Sequence, residues 1–114
     1  MPETLFERRC ADRLNTKNFV DYEVVSPEGA TLGRGLARTL NMSATGVLLE
    51  TGQSFEVGQP LRLTAVLAND LVQMTGRVVH SEPVDGQLCC AGVQFIEFSG
   101  PSLQIFQQYC ASLA

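Results

Sequence analysis

Turn-forming residues interrupt this chain at short, regular intervals, and this spacing limits the folds open to it. Pro27-Glu28-Gly29, Ala68-Asn69-Asp70 and Asp85-Gly86 each mark a turn between runs rich in β-branched, aromatic and alternating apolar residues. Short strands separated in this way are typical of an antiparallel barrel or sandwich. The predicted strands are 19–25, 31–40, 46–51, 61–67, 71–81 and 88–98.

Alternation within these runs predicts which side chains share a face. In the second run, Leu32, Leu36 and Leu40 share one face, while Gly33 and Gly35 indicate a bend or a close backbone approach. The other predicted faces are Val20, Tyr22 and Val24; Leu61, Leu63 and Ala65; Val72, Met74, Gly76 and Val78; and Ala91, Val93 and Phe95.

The carboxy-terminal segment has a different period. Ser99-Gly100-Pro101 ends the last strand, and proline suits the first turn of a helix. Leu103, Phe106, Cys110 and Leu113 then recur at helical spacing, so we expect an amphipathic helix that covers an open end of the barrel. The prediction is an all-β fold: a six-stranded antiparallel β-barrel with a C-terminal α-helix, forming one domain over 18–114 after a polar segment, 1–17.

Composition excludes several classes of protein. The first residues lack the apolar run of a signal peptide, and no stretch is long enough to span a bilayer, so a cytoplasmic protein without membrane association is expected. A net charge of −4 argues against non-specific binding of nucleic acid. One histidine and no CxxC pair predict no metal site, and the four cysteines are interpreted as reduced, mostly buried side chains.

The basic residues are unevenly distributed. All eight lie at or before Arg77, and Arg9 and Arg13 form an RxxxR pair that follows Arg8. Guanidinium groups bind phosphate oxygens through paired hydrogen bonds, match the O6 and N7 edge of guanine, and stack on bases. These arginines are therefore suited to a guanine nucleotide, although a solvated, charged tail has the same composition.

A second motif, NxSxxG, lies between two predicted strands. Asn41 and Ser43 are two residues apart, so they project to one side of an extended segment and offer hydrogen-bond donors and acceptors. Gly46 allows a turn with positive φ or the close approach of a ligand. The alternative is an ordinary turn stabilised by the asparagine or serine side chain.

Taken together, the two motifs resemble those of the PilZ family. Gly76–His80 (GRVVH) and Ala91–Phe95 (AGVQF) resemble two strands of that family, and the likeness runs from Glu7 to about Tyr109. It implies a bacterial, cytoplasmic receptor for cyclic di-GMP on a PilZ-type β-barrel, in which a flexible arginine segment wraps around the dinucleotide. The ligand-binding residues so implied are Arg8, Arg9, Arg13, Asn41, Ser43 and Gly46, with His80 and Arg38 as secondary candidates.

The sequence departs from the family pattern at two positions. His80 stands where some members place a base-packing tryptophan, and it is interpreted either as a weaker stacking residue or as a solvent-facing strand residue. Gln94 replaces an arginine that is frequent in the last strand. Arg34 and Arg38 share a face of the second strand, where they either extend a positive rim or are ordinary solvated arginines.

The motifs of common enzymes are missing from the sequence. It contains no GxSxG, phosphate-binding loop or HExxH, so we expect a binding protein that is not an enzyme and carries no cofactor beyond its ligand. Binding is expected to be relayed to an unidentified downstream protein. The alternative is a PilZ-like protein-interaction adaptor, related to pili or motility, that does not bind nucleotide. A nucleic-acid-binding barrel is a third, more remote hypothesis.

Overall fold

The strands close into a barrel. A computed structural model describes residues 19–67 and 69–113, without the side chains of 112 and 113. Within these ranges all neighbouring strands are antiparallel and the order around the barrel is first, second, third, sixth, fifth, fourth. The predicted six-stranded barrel with a terminal helix is confirmed. The elements are β1 (Phe19–Val25), β2 (Thr31–Met42), β3 (Gly46–Thr51), β4 (Pro60–Leu67), β5 (Asp70–Asp85), β6 (Leu88–Phe98) and α1 (Ser102–Leu113).

At two hairpins the strand pairing extends closer to the turn than the sequence predicts. Leu67 pairs with Asp70 across a two-residue turn in which Asn69 has φ 72°. Asp85 pairs with Leu88, and Gly86 in that turn has φ 54°. Asparagine and glycine tolerate this left-handed backbone, so pairing continues to the turn itself. As a result β5 is 16 residues long and includes Pro83.

The barrel interior is filled by the alternating apolar faces. Val20, Tyr22, Leu61, Leu63 and Ala65 are at most 4% exposed, as their alternation predicts. Each such side chain stabilises the fold by roughly 1.5–3 kcal/mol when fully buried. The remaining core residues are Ala37, Met42, Val47, Leu49, Phe55, Leu67, Val72, Met74, Val78, Ala91, Val93 and Phe106.

The leucine face that was predicted for β2 is not buried. Leu32 and Leu36 are 67% and 58% exposed, and Leu40 is half-buried on the outer side of the barrel. The register explains this, since Val20 pairs with Ala37 and Tyr22 with Gly35. In a barrel of six strands the interior is narrow, so large side chains on β1 require small ones opposite. The large side chains of β2 therefore face outward.

Gly35 confirms the predicted close approach. A Cβ at this position would lie 2.4 Å from Tyr22 Oη, so only glycine leaves room for the tyrosine ring. The Tyr22 hydroxyl donates a hydrogen bond to Gln53 Oε1 at 2.8 Å, and the ring packs edge-on against Phe55. Nothing lies within 4 Å of a Cβ at Gly33, so no such constraint applies there.

Helix α1 closes one end of the barrel with a face slightly different from the predicted one. Ser102 is buried and its hydroxyl accepts a hydrogen bond from Gln73 N at 2.9 Å, which turns Leu103 outward to 45% exposure. Phe106 is 1% exposed and packs against Phe95 and Phe98. The prediction was right for Phe106 and wrong for Leu103. Within the described residues, no helix is long and apolar enough to cross a membrane.

Candidate functional site

The NxSxxG motif forms the tight turn between β2 and β3. Asn41 belongs to the end of β2, rather than to the loop as predicted, and Met42 beside it points into the core. Ser43 N donates to Gly46 O at 2.9 Å, and Thr45 N donates to Ser43 Oγ at 3.2 Å. The serine hydroxyl therefore stabilises the turn, as the turn interpretation of the motif predicts.

Gly46 is required by a neighbouring strand rather than by its own backbone angle. Positive φ values occur at Gly29, Gly58, Gly86 and Gly100 among the described glycines, so of the two roles predicted for Gly46 the turn with positive φ is not found. A Cβ at Gly46 would lie 2.5 Å from the carbonyl oxygen of Val93. Glycine here lets β6 approach β3 and fixes the position of the turn on the barrel.

A row of paired residues crosses the outer surface beside this turn. Asn41 pairs with Leu48, Leu48 with Gly92, and Gly92 with His80, so the row spans four strands. Cross-strand partners lie on the same side of a sheet, which puts all four residues on the outside of the barrel. Three strand spacings separate Asn41 from His80, or about 14 Å. Leu48 and Gly92 in the middle of the row are buried, whereas Asn41 and His80 at its two ends are half-buried.

Two further rows flank this one, and we call the three rows together the turn face. Toward the turn lie Gly46, Gln94 and Arg77, paired in that order across β3, β6 and β5. On the other side lies a row of one arginine, one cysteine and two carboxylates: Arg38, Glu50, Cys90 and Glu82.

The charges of the turn face are distributed unequally between the flanking rows. Arg38 forms an ion pair with Glu50 at 2.8 Å, so its guanidinium is not a free positive rim. Arg77 is exposed, and no ion pair joins it to another described residue. Both carboxylates of the face lie in the Arg38 row. An anion on this face is therefore favoured near the row of Gly46 and Arg77.

His80 lies at the far end of the central row. Its side chain is 26% exposed, with Nε2 3.4 Å from Glu82 Oε1. Nε2 is buried and makes no hydrogen bond, because the contact with Glu82 lacks the required alignment. The residue is half-buried rather than solvent-facing, and its partner on β6, Gly92, has no side chain.

Sequence reasoning missed a small apolar cluster on the same outer surface. Leu48 and Cys90 are 5% and 6% exposed although they face outward, and the half-buried Leu40 packs against them. A bulge between Thr39 and Asn41 displaces Leu40 from the regular alternation of β2. The signal was present as apolar residues at outward positions, but the bulge hid the face to which they belong.

The arginines of the RxxxR motif lie outside the described residues. Arg8, Arg9 and Arg13 precede Phe19, the first described residue, which pairs with Arg38. Arg38 is three positions before Asn41 on β2, so the chain enters the barrel beside the turn face. Phe19, six positions after Arg13, thus lies near the turn face although 28 positions of sequence separate Arg13 from Asn41.

The described cysteines, Cys89, Cys90 and Cys110, are reduced. Cys90 is buried, while Cys89 and Cys110 are half-buried, in agreement with their interpretation as small apolar side chains. Burial raises the pKa of the Cys110 thiol. Within residues 19–67 and 69–113 no three histidine, cysteine or carboxylate side chains come together as metal ligands.

Comparison with known proteins identifies the family. A model of the PilZ domain matches residues 7–112, and the chain therefore belongs to the PilZ domain family. Two solved structures share the fold: the Bacillus subtilis inhibitor of motility MotI/DgrA, with 20% identity and a TM-score of 0.69, and K. pneumonia MrkH, with 14% identity and a TM-score of 0.67. The alignments cover 88% and 89% of this chain but 48% and 47% of theirs, so it spans about half of either protein. No curated protein matches the chain.

Proposed function

We propose that this PilZ domain is a receptor for cyclic di-GMP and that the dinucleotide binds on the turn face. The observation that carries the proposal is the central row, in which Asn41 is half-buried and its side chain makes no hydrogen bond to any described residue. Leu48 and Gly92 continue the row as an apolar floor, and both residues are buried although they face outward. An amide with free donors and acceptors beside such a floor suits a purine edge and ring.

Each motif residue has a distinct part in this proposal. Asn41 hydrogen-bonds a guanine edge or a phosphate, whereas Ser43 chiefly holds the turn and offers its remaining lone pair. Gly46 keeps the turn against β6. Arg9 and Arg13 bring the guanidinium groups that bind phosphates and guanines, since they enter from the chain just before β1. Arg8 supplies an additional cation.

The structure offers a route from the turn to the terminal helix. Phe95 N donates to the carbonyl oxygen of Thr45 at 2.9 Å, so the turn is bonded directly to β6. The Phe95 ring lies 5.2 Å from the ring of Phe106 in α1. We propose that a ligand-induced shift of the turn moves this aromatic contact and changes the surface of α1 that a partner protein recognises.

A protein-interaction adaptor is the second candidate, and a groove on the outer surface of β1, β2, β4 and β5 favours it. The groove has a volume of about 340 Å³. Exposed apolar side chains that line such a groove often mark contacts with other proteins. The groove is lined by Phe19, Asp21, Leu36, Thr64, Ala65, Val66 and Leu71.

Isothermal titration calorimetry with cyclic di-GMP tests the receptor proposal, with cyclic di-AMP and GTP as competitors of related chemistry. Saturable binding of cyclic di-GMP alone is the expected result, and its stoichiometry counts the ligand molecules in the site. Affinity should fall as salt rises, because phosphate contacts are screened. Absence of binding at high micromolar ligand would reject the receptor proposal and favour the adaptor.

Arginine variants locate the site within the chain. Arg9→Ala and Arg13→Ala should each weaken binding by roughly ten- to a hundredfold, since a hydrogen bond to a charged group contributes about 1.5–3 kcal/mol. Arg34→Ala is the matched control, because this substitution removes the same charge. The Arg34 side chain is 74% exposed and pairs with Glu23. Unchanged affinity in both motif variants would contradict the assignment.

A further inference from the structure

Arg77 stands on the turn face without a role in either motif. It lies on β5 between Gly76 and Val78, which are both buried, so its own side chain points outward and is exposed. Its partner on β6 is Gln94, and the partner of Gln94 on β3 is Gly46, the last residue of the NxSxxG motif. Two strand spacings therefore separate Arg77 from the turn, or about 10 Å.

The other described arginines are held by carboxylates. Arg34 on β2 and Arg62 on β4 both bind Glu23 on the strand between them, β1, and Arg38 binds Glu50. Residues 19–113 contain nine carboxylates and only four basic side chains, so an arginine without a carboxylate partner is the exception in this part of the chain. Among the described residues, Arg77 is that exception.

The surroundings of Arg77 keep its charge available. Gln94 beside it is exposed and neutral, and Pro60, its partner on β4, carries no charge and no backbone N–H. Glu50 and Glu82 lie two rows away, and Glu97, which pairs with Thr75 in the adjacent row, forms no ion pair with Arg77. An unpaired guanidinium next to neutral groups is a ready phosphate contact, because binding does not require it to give up an existing ion pair.

We propose that Arg77 is a phosphate-binding residue of the ligand site, contacting the dinucleotide from the β5 side of the turn face. This inference rests on the proposed function and adds a third source of positive charge to it. The long side chain reaches across Gln94 toward the turn, so the phosphate lies over the row of Gly46, Gln94 and Arg77. It is thereby kept away from Glu50 and Glu82.

Titration of the full chain with cyclic di-GMP tests this assignment through paired variants. Arg77→Ala should weaken binding by about tenfold, the scale expected for one lost charge-assisted contact, and should make the salt dependence shallower. Arg77→Lys keeps the charge and should recover part of the affinity. Gln94→Glu places a carboxylate beside Arg77 and should weaken binding as well. Thermal melting of each variant checks that the barrel is intact.

The control separates this inference from the proposed function. Arg34→Ala removes the same charge on the other side of the barrel and should leave affinity unchanged. If the parent chain binds cyclic di-GMP and Arg77→Ala binds as well as Arg34→Ala does, the role of Arg77 is refuted while the receptor proposal stands. If the parent chain does not bind, the receptor proposal fails and the inference fails with it.

Discussion

The two outer faces of this barrel are built on the same core but differ in how their charges are satisfied. On the turn face, Arg77 and the amide of Asn41 have no partner among the described residues. The β1 face, which we define as the outer surface of β1 with its neighbours on β2 and β4, is organised around Glu23. This carboxylate binds Arg62 and Arg34, so the charges there are already paired.

This difference distinguishes residues that hold the fold from residues available to a ligand. A surface arginine that is already paired contributes little to the binding of a new anion, since its existing ion pair must first be broken. Unpaired polar groups beside an apolar floor contribute more to binding, because no existing ion pair has to be broken. The turn face is therefore the better candidate for a dinucleotide, whereas the β1 face, with its exposed apolar groove, is better suited to a protein.

The largest expected effect belongs to Gly46→Ala, which should damage both stability and ligand binding. The new Cβ would meet the Val93 carbonyl at 2.5 Å, and a strand backbone cannot move away without breaking the β3–β6 ladder. A loss of about 1–3 kcal/mol in the free energy of unfolding is typical of such overpacking, and urea denaturation measures it. Gly52→Ala is the control, because nothing lies within 4 Å of a Cβ there. Equal stability of the two variants would contradict this account.

Gly35→Ala should have a smaller effect, and on stability alone. Its Cβ meets the Tyr22 ring, which is buried and hydrogen-bonded to Gln53 but can shift more easily than a strand backbone. We expect a loss near the lower end of the same range, about 1 kcal/mol, with unchanged affinity for cyclic di-GMP. Gly33→Ala, with open space around its Cβ, is the matched control. A marked loss of affinity in Gly35→Ala would show that the two faces are not independent.

The smallest effect is expected for Glu23→Gln and should depend on pH. The Arg62 hydrogen bond, helped by the charges of Arg62 and Arg34, lowers the pKa of Glu23 below its usual value. A lowered folded-state pKa stabilises the protein above the unfolded-state pKa, and this stabilisation is lost as pH falls through the folded-state pKa. The variant should therefore melt slightly below the parent at neutral pH, and the gap should close in acid.

Thermal melting of the parent and of Glu23→Gln, from neutral to acid pH, tests this prediction. Glu28→Gln is the control, because Glu28 is exposed and forms no ion pair with a described residue. A gap between Glu23→Gln and the parent that persisted unchanged at low pH would contradict the charge pairing assigned to the β1 face.

Much of the fold follows from local signals that the sequence displays openly. Turn residues such as Gly86 and Asn69 mark the hairpins, and strict alternation marks the inward face of strands such as β4. The buried face of β2 could not be read in the same way. Its inward residues are small because Tyr22 of another strand occupies the space, and that pairing depends on register rather than on composition.

The candidate site was only partly predictable for a similar reason. Asn41, Ser43 and Gly46 are adjacent in sequence, so their motif is visible without a structure. Leu48, Gly92 and Arg77 come from three different strands, and only the cross-strand register places them beside the motif. The pairing of Arg38 with Glu50 is equally invisible in the sequence, because it depends on how β2 is aligned with β3.

Amide chemical shifts of the ¹⁵N-labelled chain, followed during titration with cyclic di-GMP, test the central claim most directly. We expect large changes at Asn41 to Gly46 and in the row of Gln94 and Arg77, with Tyr22, Arg34 and Gly35 almost unaffected. Changes concentrated on the β1 face, or a spectrum that cyclic di-GMP leaves unaltered, would contradict the assignment of the turn face as the ligand site.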